Sequence, residues 1–149
     1  MLVKELLSEK GSKVHTIDGG SSVEDAVDKL VQKKIGALIV MEGNVPVGIF
    51  TERDVLRCHV KFNGTPYKKI PITQVMTDRL IVAEMGDQIS DSMSTMIQAD
   101  IRHLPVVEDG EIIGLLSIRD LVKHQVGTLT AEIHYLQEYI TNLQDAAND

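Results

Sequence analysis

The sequence predicts an α/β fold: two pseudo-symmetric β-α-β-β-α units packed through their sheets, with an amphipathic helix after them. Three observations carry this reading. The chain repeats itself at an offset of 66 residues, so that positions 21–56 overlie 87–122 without a gap and nine of thirty-six residues are identical. Both copies pass from helical to strand periodicity in the same order. An apolar stripe at alternating spacings of four and three follows the second copy alone. Identities such as Leu38/Leu104, Gly48/Gly114, Arg53/Arg119 and Asp54/Asp120 keep glycine and charge in register as well as the apolar pattern, which marks an internal duplication.

A short strand near Val14–Ile17 opens the first unit. Ser21 and Ser22 supply the cap of a helix whose apolar side holds Val23, Ala26, Val27, Leu30 and Val31. Ala37–Met41 is a compact β-branched and aliphatic run, Glu42-Gly43-Asn44 a turn, and Val45–Phe50 the hairpin partner. Thr51 then begins a helix to about Val60. Asn63-Gly64, Thr65-Pro66 and Ile70-Pro71 are breakers that mark 61–72 as a linker, too short for a free tether, with a helical approach over Ile72–Thr77. The second unit repeats the order: a strand near Leu80–Ala83, a helix on Ile89, Met93, Met96 and Ile97, strands Leu104–Val107 and Ile112–Leu116 about a Glu108-Asp109-Gly110 turn, and a last helix from Ser117. The organisation is thus 1–60 (first unit with an N-terminal lead), 61–72 (linker), 73–126 (second unit) and 127–149 (helical extension). In the extension Leu129, Ile133, Leu136, Ile140 and Leu143 form a stripe beside Tyr135 and Tyr139, to pack either on its own domain or in a homodimer. The last residues, DAAND, are expected to fray.

Composition narrows the function. At 149 residues the chain is one domain or two small ones, and its 3% aromatic content with no Trp argues against a base-stacking surface. A formal charge of −7 excludes a general footprint for nucleic acid or an anionic bilayer, while leaving room for a local anion pocket. Cys58 is the single cysteine, so no intrachain disulfide forms and the cytoplasm is the expected compartment. No run reaches the roughly 20 apolar residues of a membrane span, and the N-terminus lacks a signal-peptide pattern.

Each copy carries Gly-h-h-(Thr/Ser)-x-Arg-Asp, as Gly48 to Asp54 and Gly114 to Asp120. At a strand-to-helix junction the hydroxyl of Thr51 or Ser117 lies beside free backbone N–H groups, a natural place for phosphate. Asp54 or Asp120, three residues on, can accept both hydroxyl protons of a ribose. Gly48 and Gly114 would let a flat base or sugar approach the backbone. The same spacing also resembles a helix capping box, and both readings stand on sequence alone. Arg53 and Arg119 either reach a phosphate or form surface pairs. The five histidines make no local zinc cluster, no Walker or dinucleotide fingerprint is present, and no nucleophile is paired with a base, so a binding module rather than an enzyme is expected, with no metal.

These residues carry a family resemblance. With Val75-Met76-Thr77 and Ile101-Arg102-His103-Leu104-Pro105-Val106-Val107, the chain to about His124 resembles paired cystathionine β-synthase (CBS) domains, the Bateman module. That resemblance implies clefts between the halves that take AMP, ADP or ATP, with Asp54 or Asp120 on ribose and Thr51 or Ser117 on phosphate. It makes Arg102 and His103 phosphate-side groups of the second cleft; Gly36 and Ala37 stand at the matching positions of the first copy, so the first cleft is expected to lack that cationic pair. Thr77 and Val82 resemble first-strand residues of the first cleft, and Gly11 and Thr16 their counterparts in the second. The second cleft is therefore the favoured site, AMP the preferred ligand and ATP or ADP the alternatives. The expected role is a nucleotide sensor coupled to a separate effector protein, in a homodimer built on helix faces such as Val23, Ala26, Val27 and Leu30; the rival is a ligand-independent interaction module.

Overall fold

The structure, a computed structural model, describes residues 1–148. Helix α1 (Val3–Lys10) precedes the first unit: β1 (Thr16–Asp18), α2 (Val23–Lys33), β2 (Ala37–Glu42), β3 (Val45–Thr51) and α3 (Glu52–Lys61). Two 3₁₀ turns, Tyr67–Lys69 and Ile72–Gln74, lead to the second: β4 (Ala83–Glu84), α4 (Ile89–Ala99), β5 (His103–Glu108), β6 (Glu111–Ser117) and α5 (Ile118–Asn148). The first strands begin two and three residues later than their apolar runs suggest and end one residue later, at Thr16–Asp18 and Ala83–Glu84, where they pair in parallel with β2 and β5. Each hairpin is antiparallel and carries one register shift at the same place, Val40/Met41 and Val106/Val107.

Both α2 and α4 end on a residue in the left-handed region, Lys34 (φ 54°) and Asp100 (φ 53°), which turns the chain into the central strand. The duplication thus extends to backbone conformation.

Each unit closes its core with a segment from the other. Val3, Leu6 and Leu7 of α1 pack with Ala83, Met96, Leu104 and Leu116 of the second unit. Ile70 and Ile72, ahead of the second unit, are buried with Val23, Leu38 and Phe50 of the first. The breaker-rich stretch is therefore pinned: Val23 N–H donates to Ile70 O at 2.9 Å and Ile72 N–H to Ser21 O at 3.0 Å. A smaller cluster joins the sheets, with Ala37, Ile39 and Ile49 meeting Leu80, Ile112 and Leu115.

Two expectations need correction. Val23, Ala26 and Leu30 are buried in the first unit's core and are not available to a dimer face, because sheet and 3₁₀ turns cover that side of α2. The final helix and the extension are one helix, α5, running through Gly127, where an added Cβ would meet nothing within 4 Å. Of the DAAND residues expected to fray, those to Asn148 are helical and Asp149 lies outside the described residues.

Candidate functional site

At each strand-to-helix junction the structure forms the carboxylate-to-backbone bond of a cap. Thr51 N–H donates to Asp54 Oδ2 at 2.9 Å, and Ser117 N–H to Asp120 Oδ2 at 3.0 Å. Ser117 completes the reciprocal arrangement, its Oγ accepting from Asp120 N–H at 3.1 Å and donating to Oδ2 at 2.8 Å. What separates the copies is what else the carboxylate holds. Asp54 is 1% exposed and its Oδ1 accepts from Arg57 Nη1 at 2.9 Å and Thr77 Oγ1 at 3.2 Å. Asp120 keeps a side chain 23% exposed, and its bonds to Ser117 and to Lys10 Nζ (2.9 Å) all fall on Oδ2. Its Oδ1 has no partner among the described residues.

Two clefts open between the units, and each combines a helix N-terminus of one with the turn before the central strand of the other. The first, about 330 Å³, joins Thr51, Arg53 and Arg57 to Thr77, Arg79 and the stretch from Ala99 to His103. The second, about 850 Å³, joins Ser117, Arg119 and Asp120 to Lys34, Ile35, Gly36 and Ala37. This exchange overturns one sequence expectation. Arg102 and His103 line both clefts, and Gly36 and Ala37 belong to the second, so the first cleft does not lack the Arg-His pair. The alignment of repeats finds equivalent residues correctly, but pseudo-symmetric packing sends them across to the other unit's motif.

His103 is not a second cation either. Burial pushes its pKa below the ordinary value; Glu52 and Asp120 oppose this, and Arg102 and Lys10 add to it. The imidazole lies against Gly36, where a Cβ would come within 3.1 Å of Nε2. For Asp120, burial disfavours the charge, but the bonds from Lys10 and Ser117 together outweigh it and hold the carboxyl below its ordinary value. The second cleft thus presents an ionised carboxylate and a neutral imidazole among Lys10, Lys13, Lys34, Arg102 and Arg119.

Gly48 and Gly114 admit protein, not ligand. A Cβ on Gly48 would stand 2.6 Å from Met76 Sδ and 2.8 Å from Thr77 O, and one on Gly114 would stand 2.9 Å from Leu7 Cδ1. Each glycine lets the exchanged lead segment press on the sheet. Thr77 lines the first cleft as expected, but Val82, Gly11 and Thr16 line neither; Leu80, Ile81, Lys10 and His15 do so instead. A shift of one residue in an extended segment turns a side chain to the other face. Arg53 crosses the first cleft to Asp100, donating to its backbone O at 2.7 Å, while Arg119 is exposed on the second. Lys10 and Lys13 were beyond reach of motif reasoning, because they lie in the exchanged lead, outside the repeated motif. Arg57 could have been found, since it follows Asp54 by three positions on one helix face.

Among the described residues no three His, Cys, Asp or Glu side chains gather to hold a metal ion, and no helix is long and apolar enough to cross a membrane. The CBS domain matches this chain twice, over residues 3–61 and 72–127. A mitochondrial CBS domain-containing protein of Arabidopsis thaliana, CBSX3, is 35% identical over 80% of this chain and 60% of its own length, so the chain spans three fifths of that relative. The crystal structure of the CBS domain protein NE2398 is 40% identical with a TM-score of 0.80, covering 85% of this chain and 98% of that one. The CBS domain protein PAE2072 of Pyrobaculum aerophilum, solved in complex with AMP, is 23% identical with a TM-score of 0.70 over 80% of this chain and 89% of that one, a likeness of fold. With two matched repeats, two equivalent hairpin sheets and an exchanged lead segment on each, the chain belongs to the CBS domain family as a tandem pair.

Proposed function

We propose that this chain is a regulatory module that binds an adenosine nucleotide in its second cleft, AMP by preference and ATP or ADP as alternatives, and passes occupancy on to a separate effector protein or to the geometry of a homodimer. The observation that carries this reading is the Oδ1 of an ionised Asp120, without a partner among the described residues and placed at the N-terminus of α5 inside a cleft rich in cations. A carboxylate of that kind suits the hydroxyls of a ribose, and the helix terminus with Lys13, Lys34 and Arg102 suits a phosphate. The volume falls within the range of small-molecule sites, whereas the first cleft sits at its lower end and its carboxylate is consumed. Arg102, His103, Ser117, Arg119 and Asp120 form the proposed second site, with Thr51, Asp54 and Thr77 the weaker first. No catalytic step is assigned to either. The buried free thiol of Cys58 is in keeping with a reducing compartment, and we place the module in the cytoplasm.

Exposed apolar residues recur at the repeat offset, Val31 with Ile97 and Leu56 with Val122, and favour self-association through these helices in place of the buried face of α2. The same surface supports the second reading, a ligand-independent interaction module. Calorimetric titration decides between them. AMP should bind wild type, and Asp120→Ala should weaken binding more than Asp54→Ala. Unchanged affinity in Asp120→Ala defeats the ribose contact, and no binding of AMP, ADP or ATP to wild type leaves the interaction module.

A further inference from the structure

Helix α5 leaves the second unit without a break. Leu121 is buried in that unit's core, and the next residue starts an apolar seam that the fold leaves open. Val126, Ile133 and Ile140 form one row and Val122, Leu129, Leu136 and Leu143 the other, each residue between 48% and 56% exposed. The spacing alternates four and three throughout, a repeat of 3.5 that keeps the seam on one side of a supercoiled helix for about 33 Å. Because the helix is continuous through Gly127, the seam is a full heptad longer than the C-terminal stretch alone provides.

We propose that this seam pairs in parallel and in register with the same helix of a second copy of this chain, forming a two-stranded coiled coil over Val122–Leu143 that sets second unit against second unit. The rows decide the occupant. β-Branched residues fill one heptad position at every turn and leucine three of the four places in the other, the combination that favours parallel dimers. Flanking residues allow it despite the chain's charge of −7: Gln125, Thr130, Gln137 and Gln144 are neutral. In parallel register Glu132 faces the partner's Gln137, so no like charges meet. His134 Nε2 and Glu138 Oε1, 3.2 Å apart, lie off the seam. A bilayer is a poor occupant, because the helix carries no Lys or Arg after Lys123 while Glu132, Glu138 and Asp145 lie along it. Since Leu121 is anchored in the core one residue before the seam, the coil fixes the relation of the domains and is incompatible with a head-to-tail dimer. It stands whether or not the clefts bind nucleotide.

The test combines mass and proximity. In a Cys58→Ala background, Leu143→Cys should form an interchain disulfide under mild oxidation at concentrations where sedimentation equilibrium finds wild type dimeric, because facing residues of this row come within disulfide reach only in a parallel pair. Ile133→Glu with Ile140→Glu should weaken dimerisation at least tenfold without changing the amide NMR shifts of the domain cores, both positions being exposed. A monomeric or higher-order wild type overturns the proposal. So does a dimer without the Leu143→Cys cross-link, or one that survives the double substitution, and either of these results leaves self-association through Val31 and Leu56 intact.

Discussion

His103 stands where both clefts meet, and its protonation is set by burial more than by residue type. Held below 6.5, it is neutral near pH 7, and a phosphate bound beside it raises its pKa again. Nucleotide affinity therefore gains from His103 as pH falls through the pKa of the complex, and the gain levels off below the pKa of the free protein. AMP titrations from pH 7.5 to 5.5 should show wild type gaining on His103→Gln; a constant ratio removes His103 from the phosphate. Acid also weakens the fold through this residue, since the unfolded chain binds the proton more readily. Asp120 adds to that at lower pH, its lowered pKa giving stability above 3.8 that is lost as pH falls through the folded value. The two aspartates should differ in stability without ligand. Asp54→Asn strips a fully buried carboxylate from three residues and should cost about 2 kcal/mol or more in urea unfolding, against about 1 kcal/mol for the half-buried Asp120→Asn. The spacing of hydroxyl and carboxylate was legible in the sequence. The Arg57 contact on Asp54 was within reach of helical spacing, but the sealing by Thr77 was not, because Thr77 arrives from 23 residues away.

At the level of elements, hairpins and helices followed their periodicity closely, since strand and helix patterns depend on neighbours in sequence. The lead segments did not, because their partners are chosen by tertiary packing. Val3, Leu6 and Leu7 show helical spacing, yet nothing in α1 says that it covers the distant sheet. The paired glycines held the clue, and they can be tested. Gly48→Ala should destabilise by about 1 to 3 kcal/mol, since the backbone of Thr77 must yield, and thermal unfolding measures it. Gly114→Ala should fall at the lower end, because Leu7 can shift its side chain; equal losses would show that the close approach of backbone at Gly48 is not what matters. Helix α4 offers the opposite sign. Ser92 Oγ is buried without a hydrogen bond among the described residues, and the equivalent place in the first copy is Ala26. Ser92→Ala should raise stability by about 1 kcal/mol, and a loss of stability would mean that the hydroxyl is satisfied in solution.

Across the whole molecule the exchange of lead segments joins what the repeat suggests are two separable units. The first unit's core is incomplete without Ile70 and Ile72, and the second's without Val3, Leu6 and Leu7. The sheet-to-sheet cluster about Ile39 and Leu115 adds a third connection. Unfolding one unit therefore removes apolar cover from the other, and the chain should unfold in one transition although the duplication allows two. Leu6→Ala in the second core and Ile72→Ala in the first, each costing about 2 to 5 kcal/mol, should both move that single transition. Urea unfolding followed by far-UV circular dichroism and tyrosine fluorescence should give coincident curves, with Tyr67 reporting from the first core and Tyr135 and Tyr139 from α5. Two resolved steps, with Leu6→Ala moving one and Ile72→Ala the other, would show that the exchanged segments do not couple the units. Such coupling serves a signal between clefts, because each cleft is lined by both units and a ligand that tightens one unit also acts on the other through the core they share.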